Sequence, residues 1–389
     1  GGFCTAPAPP LPVINYGTIT PASGKTVEFD SSVRLTNVGT ISAAAGSVIF
    51  RGPVNLNQGS FLGNNLTFGG AVNLNGGTFN ASGQTLTFLA DSSLQNGTLI
   101  TSNTVLSFPT VCGFTRLSNL AISGDLRLNS SAIRWNAVSV SGSIIFAGTG
   151  ICAIGFEGNN TLSVPLVFQS TGNVNLGQYS GFPGTLTIAP PAQIIARSVT
   201  FGLGDCSLIN AAMTVVNNST ITANTAGQTI QFSSNAQLIN NGSVNAMPGS
   251  ISILSSFSPS NGTFTGTQFT ISGDIDLAGN TWNLAGGTFT LAQGATLRNG
   301  TLIPAGGSLK FAAAGCETPT SFLTNLSVVG DLNISGGNVG WQNVALAGAL
   351  SFSGSTSTRL TRYGNTVFDC LVLANTPSTT IIQAAPASS

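Results

Sequence analysis

Histidine is absent from this 389-residue chain, and charge is scarce: 11 Lys plus Arg balance 11 Asp plus Glu, only 6% of the sequence. Without histidine, His-dependent triads and the common zinc sites are excluded. Without a basic excess no field draws in phosphate backbones, so a nucleic-acid partner is not expected. Long apolar runs are missing too. The most apolar region, 143–156, is interrupted by Gly148, Thr149 and Gly150, and it is shorter than the roughly 18 to 20 apolar residues that a membrane-spanning helix needs. Apolar spacing of the helical kind is nearly absent, because Gly, Asn and Ser punctuate almost every run. The chain starts at Gly1 with no methionine or signal peptide, which reads as a mature or trimmed product whose targeting segment has been removed, and equally as an excised fragment.

What is present is a period. Gly17-Thr18-Ile19, Gly39-Thr40-Ile41, Gly59-Ser60-Phe61, Gly77-Thr78-Phe79 and Gly97-Thr98-Leu99 follow one another at 22, 20, 18 and 20 residues. An aromatic returns in the same phase at Phe29, Phe50, Phe68, Phe88 and Phe108, each two residues after Val27, Val48, Leu66, Leu86 or Leu106. A period near 20 with alternation of strand type inside it is the signature of coils stacked on copies of themselves. The predicted fold is all-β, a parallel β-helix (β-solenoid). It should be right-handed, because crossovers in a right-twisted sheet take that hand. About 19 coils follow from the period. The five phenylalanines should form an internal column of rings. Asn37, Asn57, Asn75 and Gln95, two residues before four of the glycine steps, should form an amide ladder from coil to coil. At the equivalent positions of the second half stand Asn240, Ser260, Ala278 and Arg298, so the ladder is expected to decay there.

The chain is also duplicated. Residues 279–303, GNTWNLAGGTFTLAQGATLRNGTLI, repeat residues 76–100, GGTFNASGQTLTFLADSSLQNGTLI, at an offset of 203 without a gap. The same offset carries Phe29 to Phe232, Phe50 to Ile253 and Phe68 to Ile271; an offset of 206 then matches Trp135 to Trp341 and Asp125 to Asp331. Two homologous solenoid blocks are predicted, 1–203 and 204–389, the second ending in a tail rich in Ser, Thr, Ala and Pro. Trp135 and Trp341 are expected to point inward as core.

The repeats LTNVGTISAAAGSVIF (35–50), LQNGTLITSNTVLSF (94–108) and LRNGTLIPAGGSLKF (297–311) resemble the β-helical repeat region of large secreted adhesins, the filamentous-haemagglutinin and autotransporter-passenger class. The resemblance implies an exported, surface-displayed rod that binds surfaces or other cells, and it carries over no binding residue.

The six cysteines fall three to a block: Cys4, Cys112 and Cys152, then Cys206, Cys316 and Cys370. Even number, wide spacing and the absence of CxxC favour disulfides in an oxidising compartment over a metal site; buried free thiols are the other reading. Asn-x-Ser/Thr sequons recur, among them Asn65, Asn96, Asn129, Asn261, Asn299 and Asn325, which would be glycan acceptors in a eukaryotic secretory setting. Catalytic chemistry is poorly represented. Ser23-Gly24-Lys25-Thr26 imitates the end of a phosphate-binding loop, but Ile19 stands where its leading glycine belongs. Asp274-Ile275-Asp276 puts two carboxylates on one strand face, the best candidate for the polysaccharide lyase or hydrolase chemistry that β-helices host.

These readings favour no enzyme, no cofactor and no metal. The expected function is that of an extracellular structural protein at a cell or virion surface, a subunit that joins copies of itself head to tail into a fibre or layer. Near-zero net charge removes the long-range repulsion between copies. The alternative is a monomeric adhesin or carbohydrate-binding stalk for surface glycans, its contacts on 148–160 or 354–365, where the rhythm breaks. A polysaccharide lyase or hydrolase is the remote alternative. A flat Thr-x-Thr array of the ice-binding kind is not met, because Thr18/Thr20, Thr220/Thr222 and Thr288/Thr290 are too scattered.

Overall fold

A computed structural model describes residues 11–56, 59–110, 113–202, 209–259, 262–312, 321–363, 367–369, 372–374 and 380–384. Among them there is no helix, and parallel strands stack into a β-solenoid of about 21 residues per coil and about 16 turns in all. Coil length varies about this mean: 18 residues separate the paired Thr115 and Ile133, and 31 separate Val199 and Ile230. Contacts divide the chain into two compact units. The first is Gly1–Asn160 with Val164–Gly184 and Gly204–Ala211; the second is Thr161–Ser163 with Thr185–Leu203 and Ala212–Ser389.

In the first unit, one ladder runs in parallel register from Leu11–Asn15 through Val33–Asn37, Val54–Leu56, Ala71–Asn73, Ser93–Ile100, Thr115–Ser123, Ala132–Val140 and Cys152–Phe156 to Val174–Tyr179. A second begins at Thr18–Ile19, Thr40–Ala43 and Ser60–Gly63. A third holds Thr26–Phe29, Ser47–Phe50, Leu66–Phe68, Thr85–Phe88 and Val105–Ser107. Side chains alternate inward and outward along each strand, as the buried Val48 and Phe50 and the half-buried Ser47 and Ile49 show. Like stacks on like. The rings of Phe29, Phe50, Phe68, Phe88 and Phe108 are parallel-stacked at 5.3, 5.2, 5.4 and 5.4 Å, and all but the half-buried Phe29 are buried. Phe61 meets this column edge-on at Phe50.

The glycine steps have a steric cause. A Cβ on Gly39 would lie 2.1 Å from the carbonyl oxygen of Gly17 in the preceding coil, and one on Gly97 would lie 2.5 Å from that of Gly77. Backbones approach so closely at this corner that a side chain cannot be accommodated.

The second unit repeats the pattern with substitutions. Val199–Phe201, Thr229–Phe232, Ser250–Ile253, Phe269–Ile271, Thr288–Leu291 and Ser308–Phe311 are stacked in parallel. The column corresponding to the phenylalanines continues from Phe232 through Ile253, Ile271 and Leu291 to Phe311, all buried. Aliphatic side chains take over the ring positions with no break in register. Trp135 and Trp341 are buried, and so is Trp282.

The amide ladder is real but differently placed. Asn15 Nδ2 donates to Asn37 Oδ1 at 2.7 Å, whereas Asn57 lies outside the described residues. Asn75 is a turn residue at φ 48°, its backbone N–H donating to Asn73 Oδ1. The ladder passes instead through Asn73, Asn96 and Asn119. It does not decay in the second unit: Asn217 Nδ2 donates to Asn240 Oδ1, and Asp276, Asn299, Asn325 and Asn343 form a further run. Asn96, Asn119, Asn299, Asn325 and Asn343 have φ of 61°, 48°, 60°, 52° and 54°. Asparagine tolerates this left-handed bend better than other non-glycine residues, and its amide then bridges the coils.

Candidate functional site

The outward face of the first unit carries a cluster of ionised side chains. Arg116 and Arg134 are register partners in adjacent strands, Thr115–Ser123 and Ala132–Val140. Alternation turns both outward, so two guanidinium groups are stacked one coil apart, an arrangement that repels unless it is neutralised. Glu157 neutralises it. Its Oε2 accepts from Arg116 Nη2 at 2.6 Å and from Nε at 3.2 Å, and its Oε1 accepts from Nε and Nη2 of Arg134. The Glu157 side chain is 1% exposed, against 38% for Arg116 and 25% for Arg134.

Small residues make room for an aromatic lid. Gly155 takes the register position after Arg134, and Gly177 the one after that. A Cβ at Gly155 would meet Tyr179 Cδ2 at 3.2 Å and Ile209 Cγ1 at 3.6 Å. The space left by the missing side chain is filled by Tyr179, whose ring lies 3.8 Å from Arg134 Cζ, a cation–π contact. Phe114 meets Tyr179 edge-on at 5.7 Å and packs with Ala132, Ala153 and Ile209 into an apolar cluster outside the coil. Ile209–Ala211 pairs antiparallel with Val174–Tyr179, which holds that cluster in place. Phe182, 42% exposed, leans on Tyr179.

The result is a cleft of about 280 Å³ lined by Asp91, Ser92, Ser93, Phe114, Arg116, Arg134 and Tyr179. Burial pushes the Glu157 carboxyl up, but the hydrogen bonds and charges of the two arginines outweigh it and hold the group below the ordinary carboxylate range. Glu157 is therefore an ionised anchor, not a proton donor at neutral pH.

This chain matches no known protein family, no curated protein and no solved structure.

Asp274 and Asp276 are brought together with Arg298, whose Nε lies 3.1 Å from Asp276 Oδ2 and whose Nη1 lies 3.9 Å from Asp274 Oδ2. Asp276 also accepts from the backbone N–H of Ala278 and from Asn299 Nδ2. Its carboxyl is held low by the Ala278 N–H first; burial opposes this, and Asn299 and Arg298 reinforce it. It starts the amide ladder and closes a turn. Asp125 and Asp331, matched by the duplication, each accept a backbone N–H from the following coil, from Ser143 and from Ala349, both at 2.7 Å. Among the described residues no three His, Cys, Asp or Glu side chains converge as metal ligands, and no helix is long and apolar enough to cross a membrane.

Of the cysteines only Cys152 is described: a buried free thiol that donates to the carbonyls of Ala147 and Leu128. Cys4, Cys112, Cys206, Cys316 and Cys370 lie outside the described residues, as does Asn261. Asn65 and Asn129 are exposed. Asn96, Asn299 and Asn325 donate the Nδ2 that would carry a glycan to the neighbouring coil. The break in rhythm at 148–160 is not a loose contact loop. It contains the fully buried strand Cys152–Phe156 and ends on Glu157. Sequence reasoning passed over the Arg116, Arg134 and Glu157 cluster because the intervals, 18 and 23 residues, differ. An Arg in phase with a second Arg, in a chain with so few charges, was the available signal.

Proposed function

We propose that this chain is an extracellular structural protein, a subunit that associates with copies of itself into a fibre or surface layer. The observation that carries this reading is the self-similarity of its coils. Each presents to the next the same backbone edge, an apolar row inside, and rows of hydroxyls outside, such as Thr26 to Ser47 at 2.7 Å and Thr40 to Ser60 at 3.0 Å. A further copy in the same register would meet a surface that the chain already matches internally. Net charge of zero leaves little to oppose it. Support also comes from the strand Leu11–Asn15, where Leu11 and Ile14 are 61% and 53% exposed. The extracellular setting rests on the architecture shared with exported adhesin repeats.

Electron microscopy and sedimentation velocity of the purified chain, across a concentration series, test this. Filaments or a ladder of oligomers are expected; monodisperse monomers at high concentration would overturn the assembly reading. The second reading, an adhesin stalk, is favoured by the Arg116 and Arg134 cleft.

A further inference from the structure

We infer that the cleft beside Glu157 is a binding site for a carboxylate-bearing sugar residue, such as a uronic or sialic acid unit of an acidic glycan. Each arginine spends Nε and Nη2 on Glu157. The Nη1 groups of Arg116 and Arg134 take part in no hydrogen bond among the described residues. Two planar guanidiniums fixed one coil apart, each locked at one edge by a buried carboxylate, form a preorganised receptor for a second carboxylate. Little side-chain entropy remains to be lost when a ligand arrives, because Glu157 and the Tyr179 ring already hold them.

The rest of the lining narrows the ligand class. Asp91 and Ser93 also line the cleft, so a ligand must offer hydrogen-bond donors there as well as a carboxylate at the arginines. Sulfate or a halide has no such donors and would meet only repulsion from Asp91. A sugar acid has hydroxyls for both. An amino-acid or peptide terminus could bring an ammonium, but Glu157 is spent on the arginines, which leaves Asp91 as the carboxylate facing it. Phe114 and Tyr179, the two aromatic residues of the lining, offer an apolar surface for a sugar ring. The volume, about 280 Å³, lies just below the usual range of ligand sites, roughly 300 to 1,000 Å³, and suits a single ring of a longer chain.

The inference does not depend on assembly, because binding is counted per chain in whatever state it occupies. Isothermal titration calorimetry of the full chain with trigalacturonate and with sialyllactose tests it and separates the two sources of the carboxylate. Methyl-esterified trigalacturonate and triglutamate serve as controls. Saturable binding of at least one acidic sugar is expected, with no binding of the methyl ester. Arg116→Lys keeps the ion pair to Glu157 but removes the fork, and should weaken binding about tenfold. No acidic sugar binding with a Kd of about 1 mM or tighter would overturn the inference. So would methyl-ester binding of equal strength, triglutamate binding as tight as the sugars, or Arg116→Lys without effect.

Discussion

Replacing Phe68 with alanine tests the architecture at its most connected point. The ring is 1% exposed, lies between Phe50 and Phe88 at 5.2 and 5.4 Å, and touches Phe61 at 6.3 Å. Its removal takes away both stacked partners and leaves a void between backbones that the ladder hydrogen bonds hold apart, so collapse is limited. Phe→Ala in such a setting costs about 3 to 5 kcal/mol, and the loss of both stacks places this site in the upper half of that range. For a body of this size, a midpoint falls by about 2 to 4 °C per kcal/mol, which predicts a drop of roughly 8 to 20 °C for the unit that contains it. Phe68→Leu gives up the same two stacks but fills most of the void, so it should cost clearly less than the alanine, about 1 to 3 kcal/mol; the equivalent column of the second unit already runs through the buried aliphatic residues Ile253, Ile271 and Leu291. Urea unfolding followed by circular dichroism measures both. An alanine variant within about 1 kcal/mol of the parent, or a leucine variant as damaged as the alanine, would refute the argument that this column carries stability.

Glu157→Gln leaves Arg116 and Arg134 stacked without a counter-charge; because both remain partly hydrated, a cost of about 2 kcal/mol is expected, below that of a fully buried broken pair, read from the urea midpoint at neutral pH. Glu157 and Asp276 both have carboxyls held below their ordinary range; their contribution is fully present above the unfolded values, about 3.9 to 4.3, and is lost as pH falls through the lower folded values. Acid titration should therefore show stability falling below about pH 4, with a shallower fall in Glu157→Gln; an equal slope in the two proteins would contradict it. Asn299, at φ 60° with its amide donated to Asp276, should lose about 1 to 2 kcal/mol on conversion to alanine. Conversion to glycine, which keeps the bend, should cost less, and an alanine variant as stable as the glycine variant would remove the argument for the left-handed corner.

The solenoid was legible in the chain because its cause is periodic. Val48 and Phe50 go inward through strand alternation, and a return of the same pair some 20 residues later places ring over ring whatever the details of the corners. The glycine steps are equally local, since each reports one close approach between neighbouring coils. Trp135 and Trp341 could be assigned to the core from their strand context alone. What the sequence by itself did not decide is which residues outside this rhythm become neighbours. Gln95 is not a rung of the amide ladder: it lies next to the bend, and Asn96, one residue on, takes the left-handed corner and bonds to Asn73. Asp274 and Asp276 read as a bare carboxylate pair until the coil return set Arg298 beside them. Arg116, Arg134 and Glu157 stand 18 and 23 residues apart, and they converge only because one coil is shorter than the next. A strand pattern specifies which face a side chain takes; the length of each corner specifies what it meets there, and corner lengths are settled by the packing of the whole stack.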